Sequence, residues 1–268
     1  EVSGQWFHRH ETWAEQARPW VDYLSRTSYM LQQGRYVADV AYYYGDDNNV
    51  TGLFYAKQPQ VPPTASYDYV NTPALTEQLT CSDGKITTPS GMTYQVLALD
   101  ANTQRMTVPA LRHIAAMVGK GMKLCGARPQ AVLSLNDDKA EFDRLVAEIW
   151  DANRPNVKEN ASIADALAAW GIAPDFYCDH MDSLRFVHRQ TPQAEIYWVN
   201  NRSYQTRSLD ARFRVTGMKP YLWHPETGEV SAVDYTPAAG YTQVSLQMNP
   251  GEAYFIVFRT ESDPTAIF

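Results

Sequence analysis

The sequence predicts a parallel α/β sheet of the doubly wound type, followed by an antiparallel β-rich region similar to a β-sandwich. Between residues 36 and 126, runs of β-forming residues alternate with helical patterns in the order strand, helix, strand, helix, strand. After Pro174 helical periodicity disappears, and short alternating runs separated by turn residues replace it. We therefore expect a boundary near residues 175–190.

An amphipathic helix is predicted at the start of the chain, from about Thr12 to Gln33. Its apolar residues recur at helical spacing, at Trp13, Ala17, Val21, Leu24 and Leu31. Gly34 stands where a C-terminal capping glycine belongs. Pro19 either lies in the first turns, where a missing N–H costs least, or marks a kink.

Three runs are typical of strands buried on both faces of a parallel sheet, at residues 36–44, 94–99 and 123–126. A long proline-bearing segment, 57–66, and a short helix near 73–79 separate the first two, and a loop that long is often functional. Thr107 can cap a helix that runs through Val118, before the third strand. Two further helical segments follow, at 139–150 and 163–170.

The region beyond residue 180 is expected to form an antiparallel sandwich or its edge. Its predicted strands are 184–189, 195–200, 211–215, 229–234, 242–246 and 252–258. Turn residues at 225–228 and 249–251 separate them.

Composition excludes several classes of function. The net charge of −7 argues against a nucleic-acid partner, which would require clustered Lys and Arg. The apolar runs are too short for a membrane-spanning helix. Cys81, Cys125 and Cys178 show no CxxC spacing, so we expect buried free thiols rather than a zinc site. The start of the chain, residues 1–4, predicts that it begins within a longer protein or after processing.

Several segments, spread over nearly the whole chain, carry a resemblance to a known family. They are residues 7–13, 20–26, 29–40, 67–71 and 89–94, continued by 188–189, 196–201, 213–217 and 222–228. Core packing alone does not explain the run Leu31-Gln32-Gln33-Gly34-Arg35. The segments occur in the same order as in the α-L-rhamnosidases of glycoside hydrolase family 106, and the chain therefore resembles that family.

The resemblance implies an enzyme that removes α-L-rhamnosyl groups from plant polysaccharides or glycosides with inversion. Such an enzyme uses two carboxylates, about 6.5–9.5 Å apart, on a (β/α)8 barrel. The resemblance also implies a bound calcium ion, a rhamnosylated carbohydrate as substrate, and a periplasmic or extracellular location. Both catalytic glutamates are expected upstream of the segment 7–13, so neither role is given to a residue of this chain.

By the same resemblance, residues 1–35 are the end of the barrel, 36–180 a flavodoxin-like or amidotransferase-like domain with flanking helices, and 181–268 a β-rich domain. The strand near Asp39 could belong to either α/β unit. The upstream barrel portion of the same polypeptide is the expected partner. Cys125 lacks the strand-turn-helix context of a nucleophile, so the middle domain is expected to be a scaffold.

Candidate substrate-binding residues are crowded just before the first helix. His8, Arg9, Glu11 and Trp13 would lie at the rim of a barrel, where charged groups bind hydroxyls and Trp covers a sugar ring. The alternative is that Glu11 complements the helix N-terminus and Trp13 is part of a core.

A second group of candidates follows the predicted strands. Tyr44 and Asp46 come after the first strand, at the edge where open α/β sheets bind ligands. The acidic and amide side chains of residues 46–49 could accept calcium, although their spacing is not that of an EF-hand, or they form a solvated turn. Tyr67 and Asp68 are candidates to line a site, and Asn71 either joins them or caps the next helix.

The histidines His180, His188 and His224 show no ligand spacing and are expected to be structural. A different class of function also fits the sequence. Because the acid/base pair is missing and aromatic residues make up 12% of the chain, it could be a noncatalytic carbohydrate-binding or scaffold module. A third alternative is a portion of a related retaining, galactosidase-type enzyme.

Overall fold

The computed structural model describes residues 10–48 and 59–260. These residues divide into two compact units. The β unit contains residues up to Tyr36 and those from Tyr177 onward, and the α/β unit contains Val37–Phe176. The chain is thus a mixed α/β protein with both parallel and antiparallel sheets, as its sequence predicts.

The predicted N-terminal helix forms as α1 (Arg18–Leu31), followed by strand β1 (Arg35–Tyr36). It is shorter than predicted at its start, because Ala14–Gln16 form a separate 3-10 turn. Pro19 lies in the first turn, so the first of its two interpretations holds. Gly34 has a φ of +54°, the left-handed conformation expected of a glycine that ends a helix.

The α/β unit contains the predicted parallel strands and several short ones that the sequence did not predict. Its strands are β2 (Val40–Tyr43), β3 (Tyr67–Val70), β4 (Thr80–Ser82), β5 (Lys85–Thr87), β6 (Thr93–Tyr94), β7 (Val96–Leu99), β8 (Arg105–Met106), β9 (Lys123–Cys125), β10 (Ala131–Val132) and β11 (Val157–Lys158). Its helices are α2 (Val108–Gly119), α3 (Lys139–Val146) and α4 (Ile163–Ala169), with π-helical turns at Ala74–Gln78 and Ala147–Asp151.

Five of these strands form a parallel sheet in the order β11, β9, β7, β2, β3. Every residue of β2 and β7 is buried, which explains why both appear in the sequence as unbroken apolar runs. α4 covers one face of the sheet, where Ala166 and Leu167 pack with Val40 and Val96.

Two predicted strands are each divided. The run 36–44 was expected to be one strand, but β1 pairs with the antiparallel sheet of the β unit and β2 with the parallel sheet. Asp39 lies between them, buried, and its carboxylate accepts a hydrogen bond of 2.7 Å from Gln95 Nε2. The run 94–99 divides between β6, which pairs with β5, and β7.

The β unit completes its two antiparallel sheets with strands from the end of the chain. These are β12 (Phe176–Tyr177), β13 (Leu184–Gln190), β14 (Ala194–Asn201), β15 (Arg207–Phe213), β16 (Lys219–Trp223), β17 (Val230–Ala232), β18 (Tyr235–Ala238), β19 (Tyr241–Met248) and β20 (Ala253–Arg259). One sheet has the order β1, β13, β14, β20, β16, β17, and the other has the order β12, β15, β19, β18.

α1 packs on the larger sheet of the β unit. Met30 lies in a core cluster with Ile196, Phe255 and Val257. Arg189 in β13 stabilises the end of α1 on this sheet. Its guanidinium donates hydrogen bonds to the carbonyl oxygens of Gln33 at 2.5 Å and Gly34 at 2.9 Å. Residues 10–35, part of the segment 1–35 that was predicted as the end of a barrel, are therefore grouped with the C-terminal strands. Whether α1 also closes a barrel stays a prediction.

The described part of the chain contains no helix with the length and apolar character needed to cross a membrane.

The three cysteines are free thiols, as predicted, with Cys81 and Cys125 buried and Cys178 half-buried. Burial raises the pKa of Cys125 to about 11, so its thiol is a poor nucleophile at neutral pH.

Candidate functional site

The polar residues of the α/β unit gather where β2, β3 and β7 end. Because these strands are parallel neighbours, their carboxyl ends share one edge of the sheet. Asp46 follows β2, Thr72 follows β3, and Asp100 follows β7. This is the edge where open α/β sheets bind ligands.

Asp46 joins two of these loops. Its Oδ2 accepts a hydrogen bond of 2.6 Å from the Thr72 hydroxyl, and that hydroxyl lies 2.7 Å from the Tyr43 hydroxyl. Its neighbour Asp47 accepts a hydrogen bond of 2.9 Å from the backbone N–H of Arg105. Both carboxylates are exposed, which agrees with the solvated-turn alternative. Asn49 lies outside the described residues.

Asp100 is the buried acid at this edge, and the sequence analysis did not single it out. Only 6% of its surface is exposed. Its Oδ2 accepts from the Tyr42 hydroxyl at 2.6 Å, and its Oδ1 accepts from the backbone N–H of Asn102 at 2.7 Å and from Asn102 Nδ2 at 3.0 Å. Burial, reinforced by this contact with Asp100, raises the pKa of Tyr42, so Tyr42 stays a neutral donor.

Four tyrosines form a cluster on one face of β2 and β3. The ring centroid of Tyr69 lies 5.3 Å from that of Tyr67, 6.1 Å from that of Tyr42 and 6.2 Å from that of Tyr44, all close to edge-to-face. Tyr69 is 42% exposed. The structure thus brings the predicted candidates Tyr44 and Tyr67 into one aromatic surface, which we call the tyrosine cluster, and adds two members that were not predicted.

Asp68 does not belong to this surface. Tyr67 and Asp68 were predicted to line one site, but successive residues of a strand point to opposite faces, and both lie in β3. Asp68 Oδ2 accepts a hydrogen bond of 2.9 Å from the Tyr94 hydroxyl, and burial raises its pKa. Asn71 Oδ1 accepts from the backbone N–H of Ala74 at 2.8 Å, which confirms the capping alternative.

Of the N-terminal candidates, Glu11 and Trp13 belong to the β unit. His8 and Arg9 lie outside the described residues. Glu11 is half-buried, and Trp13 is 40% exposed, with its ring edge-to-face with Trp20 at 6.1 Å between centroids. Trp13 is therefore not buried in a core formed by the described residues. Their part in substrate binding stays a prediction.

His188 is structural, as predicted. It is 4% exposed, stacks on the Tyr197 ring at 3.8 Å between centroids, and its Nε2 lies 2.8 Å from Glu195 Oε2.

An acid/base pair needs one carboxyl group whose pKa is raised by burial. Asp179 and Asp210 line an open groove of about 420 Å³ in the β unit, but both are exposed, and Asp210 accepts a hydrogen bond from Ser245 at 2.8 Å. This groove therefore lacks the environment of a general acid.

Across residues 10–48 and 59–260, no three His, Cys, Asp or Glu side chains converge as metal ligands would. These residues therefore supply no cluster of carboxylates that could hold calcium, and the calcium ion itself stays a prediction.

Residues 1–237 match the family model described as alpha-L-rhamnosidase, glycoside hydrolase family 106. A protein of Formosa agariphila, named as a beta-glucuronidase, is 34% identical over 263 residues, which are 96% of this chain and 22% of that protein. The solved structure of a rhamnosidase from Novosphingobium sp. PP1Y is 40% identical, with a TM-score of 0.90 over 99% of this chain and 26% of that one. This chain thus spans about a quarter of the length of these relatives.

More distant structures share the fold alone. A beta-galactosidase from Bacillus circulans sp. alkalophilus has a TM-score of 0.58 at 10% identity, over 94% of this chain and 46% of that one. An alpha-L-fucosidase from Paenibacillus thiaminolyticus has a TM-score of 0.55 at 9% identity, over 89% of this chain and 51% of that one. With the match to the family model over most of its length, this chain belongs to the α-L-rhamnosidases of glycoside hydrolase family 106.

Proposed function

We propose that this chain is a noncatalytic portion of an inverting α-L-rhamnosidase that hydrolyses terminal α-L-rhamnosyl linkages in plant polysaccharides or glycosides. The observation that carries the proposal is the similarity to the Novosphingobium rhamnosidase over 99% of this chain and only 26% of that enzyme. An enzyme of that length has room for its catalytic centre outside the matched quarter. A rhamnosylated carbohydrate is then the substrate of the whole enzyme.

The bonding of the acids in the α/β unit supports placing the catalytic glutamates upstream. A general acid must hold a proton and release it to the leaving oxygen, while its partner activates water. Burial raises the pKa of Asp68, as a general acid requires, but its Oδ2 accepts a hydrogen bond from the Tyr94 hydroxyl. Asp46 and Asp100 accept hydrogen bonds from Thr72 and Tyr42. Each of these hydrogen bonds connects one loop or strand to another, so each of the three acids has a structural role.

We further propose that the α/β unit is a flavodoxin-like scaffold. Taken in chain order, its five parallel strands are arranged as second, first, third, fourth and fifth, which is the order of flavodoxin-like folds. Cys125 supports the scaffold role, since burial raises its pKa and it lies beside α4 rather than at a nucleophile turn. If the whole enzyme binds calcium, the upstream barrel portion then holds the ion. The periplasmic or extracellular location is proposed for the whole protein.

The test is an activity assay of this chain on an aryl α-L-rhamnoside, with added calcium and, separately, with a chelator. We expect no turnover above the uncatalysed rate under either condition, because the proton-transferring pair is absent. The longer polypeptide that contains this chain serves as the positive control. Turnover by the chain alone, removed by a substitution within it, would show that the catalytic carboxylates lie here.

A noncatalytic carbohydrate-binding module is the second candidate function, and the tyrosine cluster favours it. Its partly exposed rings could stack on sugar faces. The sequence upstream of this chain separates the two functions, since a barrel that bears two glutamates supports the hydrolase, whereas an upstream region without such a barrel supports a binding module. The retaining, galactosidase-type alternative is supported only by similarity of fold. The anomer that the longer polypeptide releases first distinguishes a retaining enzyme from an inverting one.

A further inference from the structure

Part of the apolar stripe that indicates α1 in the sequence is not used for packing on the sheet of the β unit. Within α1, which lies wholly in the described part of the chain, only Met30 is buried, and it belongs to the core cluster of that sheet. Trp20, Val21 and Leu24 are instead 46%, 47% and 40% exposed. A surface helix normally turns its apolar side chains toward a core, so an outward apolar face requires a second packing partner.

These side chains form one surface, which we call the outer face of α1 and define by Trp20, Val21 and Leu24. Residues three and four apart are neighbours on a helix, so Leu24 lies beside both Val21 and Trp20. At one end the Trp20 ring meets the Trp13 ring edge-to-face, with 6.1 Å between the ring centroids. Single exposed apolar side chains are ordinary, whereas a contiguous group of them marks a site of interaction.

The charges and ring geometry around the outer face indicate that its partner is a protein surface. Between positions 13 and 31 there are two acidic and two basic residues, Glu15, Arg18, Asp22 and Arg26. A helix that lies on an anionic membrane carries an excess of Lys and Arg beside its apolar face, and this segment has none. The rings of Trp13 and Trp20 are inclined at 80° to each other, so together they do not form a flat platform for a sugar ring.

The length of the relatives identifies which protein surface this is. The similarity to the Novosphingobium rhamnosidase covers 99% of this chain and 26% of that enzyme, so about three-quarters of such an enzyme lies outside it. α1 is the first α-helix of the described residues, so an upstream portion would be tethered close to the outer face. Tethering gives a local concentration of about millimolar, at which an interface of a few apolar side chains can form.

We propose that the outer face of α1 docks on an apolar surface of the upstream portion of the same polypeptide. α1 then has two packed sides, since Met30 faces the sheet of the β unit and Leu24 faces the upstream portion. The helix thereby fixes the β unit to that portion. The inference rests on the proposed function for the existence of this partner, but it makes no use of hydrolysis.

The test compares side-chain exposure in the 268-residue chain and in the longer polypeptide that contains it. The measurement is the rate of hydroxyl-radical oxidation at each side chain, followed by mass spectrometry. We expect Trp20 and Leu24 to be oxidised at least about fivefold more slowly in the longer polypeptide, because the centre of an interface excludes water. Leu135 and Tyr204 are the controls, since both are fully exposed in the chain. Unchanged oxidation of the outer face, or equal slowing at both controls, overturns the inference.

Leu24→Asp and Leu135→Asp form a matched pair of variants, because each replaces an exposed leucine by the same charged residue. Circular dichroism of the 268-residue variants checks that their folds are intact. In the longer polypeptide, an unpaired carboxylate at the interface is costly, so Leu24→Asp should bring the oxidation of Trp20 to within about twofold of its rate in the shorter chain. Leu135→Asp should leave Trp20 protected. Protection of Trp20 that survives Leu24→Asp contradicts the inference, and if this variant does not fold, the comparison of the unsubstituted proteins decides.

A second copy of the chain is the competing occupant of the outer face. If oxidation of Trp20 in the 268-residue chain slows as its concentration rises and reaches the rate of the longer polypeptide, self-association covers the face and the inference is overturned. Rhamnosidase turnover of the longer polypeptide is measured in parallel. Protection without turnover supports the docking and counts against the proposed function, whereas turnover without protection does the reverse.

Discussion

We expect Gly34→Ala to destabilise the β unit severely, by about 3 kcal/mol or more, because backbone strain and overpacking act together. Gly34 has a φ of +54°, and a Cβ placed there would lie 2.0 Å from the carbonyl oxygen of Gln190. The obstacle is backbone, so no side-chain rotation relieves it. The measurement is the free energy of unfolding by denaturant, followed by tryptophan fluorescence.

Gly217→Ala is the matched control for this prediction. Gly217 also has a positive φ, +73°, but a Cβ there meets nothing within 4 Å. Its substitution should cost only the backbone strain of a left-handed residue, about 1 kcal/mol. Equal losses in the two variants would show that the close approach between Gly34 and Gln190 does not govern the docking of α1.

The second large effect is expected at Asp100. Asp100→Ala removes the acceptor of three hydrogen bonds and leaves the buried Tyr42 hydroxyl without its partner. Because hydrogen bonds to charged groups and stranded buried donors each contribute, we expect a loss of about 3 kcal/mol in unfolding free energy. Thermal and denaturant unfolding measure it.

Tyr42→Phe gives the comparison, because it removes one of the three hydrogen bonds and leaves the Asp100 carboxylate in place with Asn102. Its cost should be clearly smaller, at about 1 kcal/mol. If Asp100→Ala costs no more than Tyr42→Phe, the carboxylate does not hold the edge of the sheet together.

The parallel sheet could be predicted from sequence where both faces of a strand are buried. β2 and β7 appear as unbroken apolar runs, and β9 shows the buried pair Leu124 and Cys125 after Lys123. α2 begins close to its predicted cap, where Thr107 accepts a hydrogen bond from the Ala110 N–H. β3 was missed because Asp68 interrupts it and only Val70 is buried. An edge strand with polar residues lacks that apolar signal.

The candidate site was predicted only where local order determines it. The sequence placed Tyr44 and Asp46 at the edge of the sheet because they follow a recognisable strand, and their part in substrate binding stays a prediction. Asp100 was missed, since its partner Tyr42 lies 58 residues away and nothing local indicates their pairing. The separation of Tyr67 from Asp68 would have followed from strand alternation, had β3 been recognised. The hydrogen bond from Arg26 in α1 to the carbonyl oxygen of Glu226 could not be anticipated, because it joins residues 200 positions apart.

The most direct test of the account uses the longer polypeptide and its turnover number on an aryl α-L-rhamnoside. The variants are Asp46→Asn, Asp68→Asn, and Asp179→Asn with Asp210→Asn, which change acids of the parallel sheet and of the β-unit groove. Since general acid–base groups contribute about 10²–10⁴-fold, we expect kcat to stay within about tenfold of the unsubstituted enzyme. A fall of about a hundredfold or more in any of these variants, with the fold intact, would place a catalytic carboxylate in this chain and contradict the account.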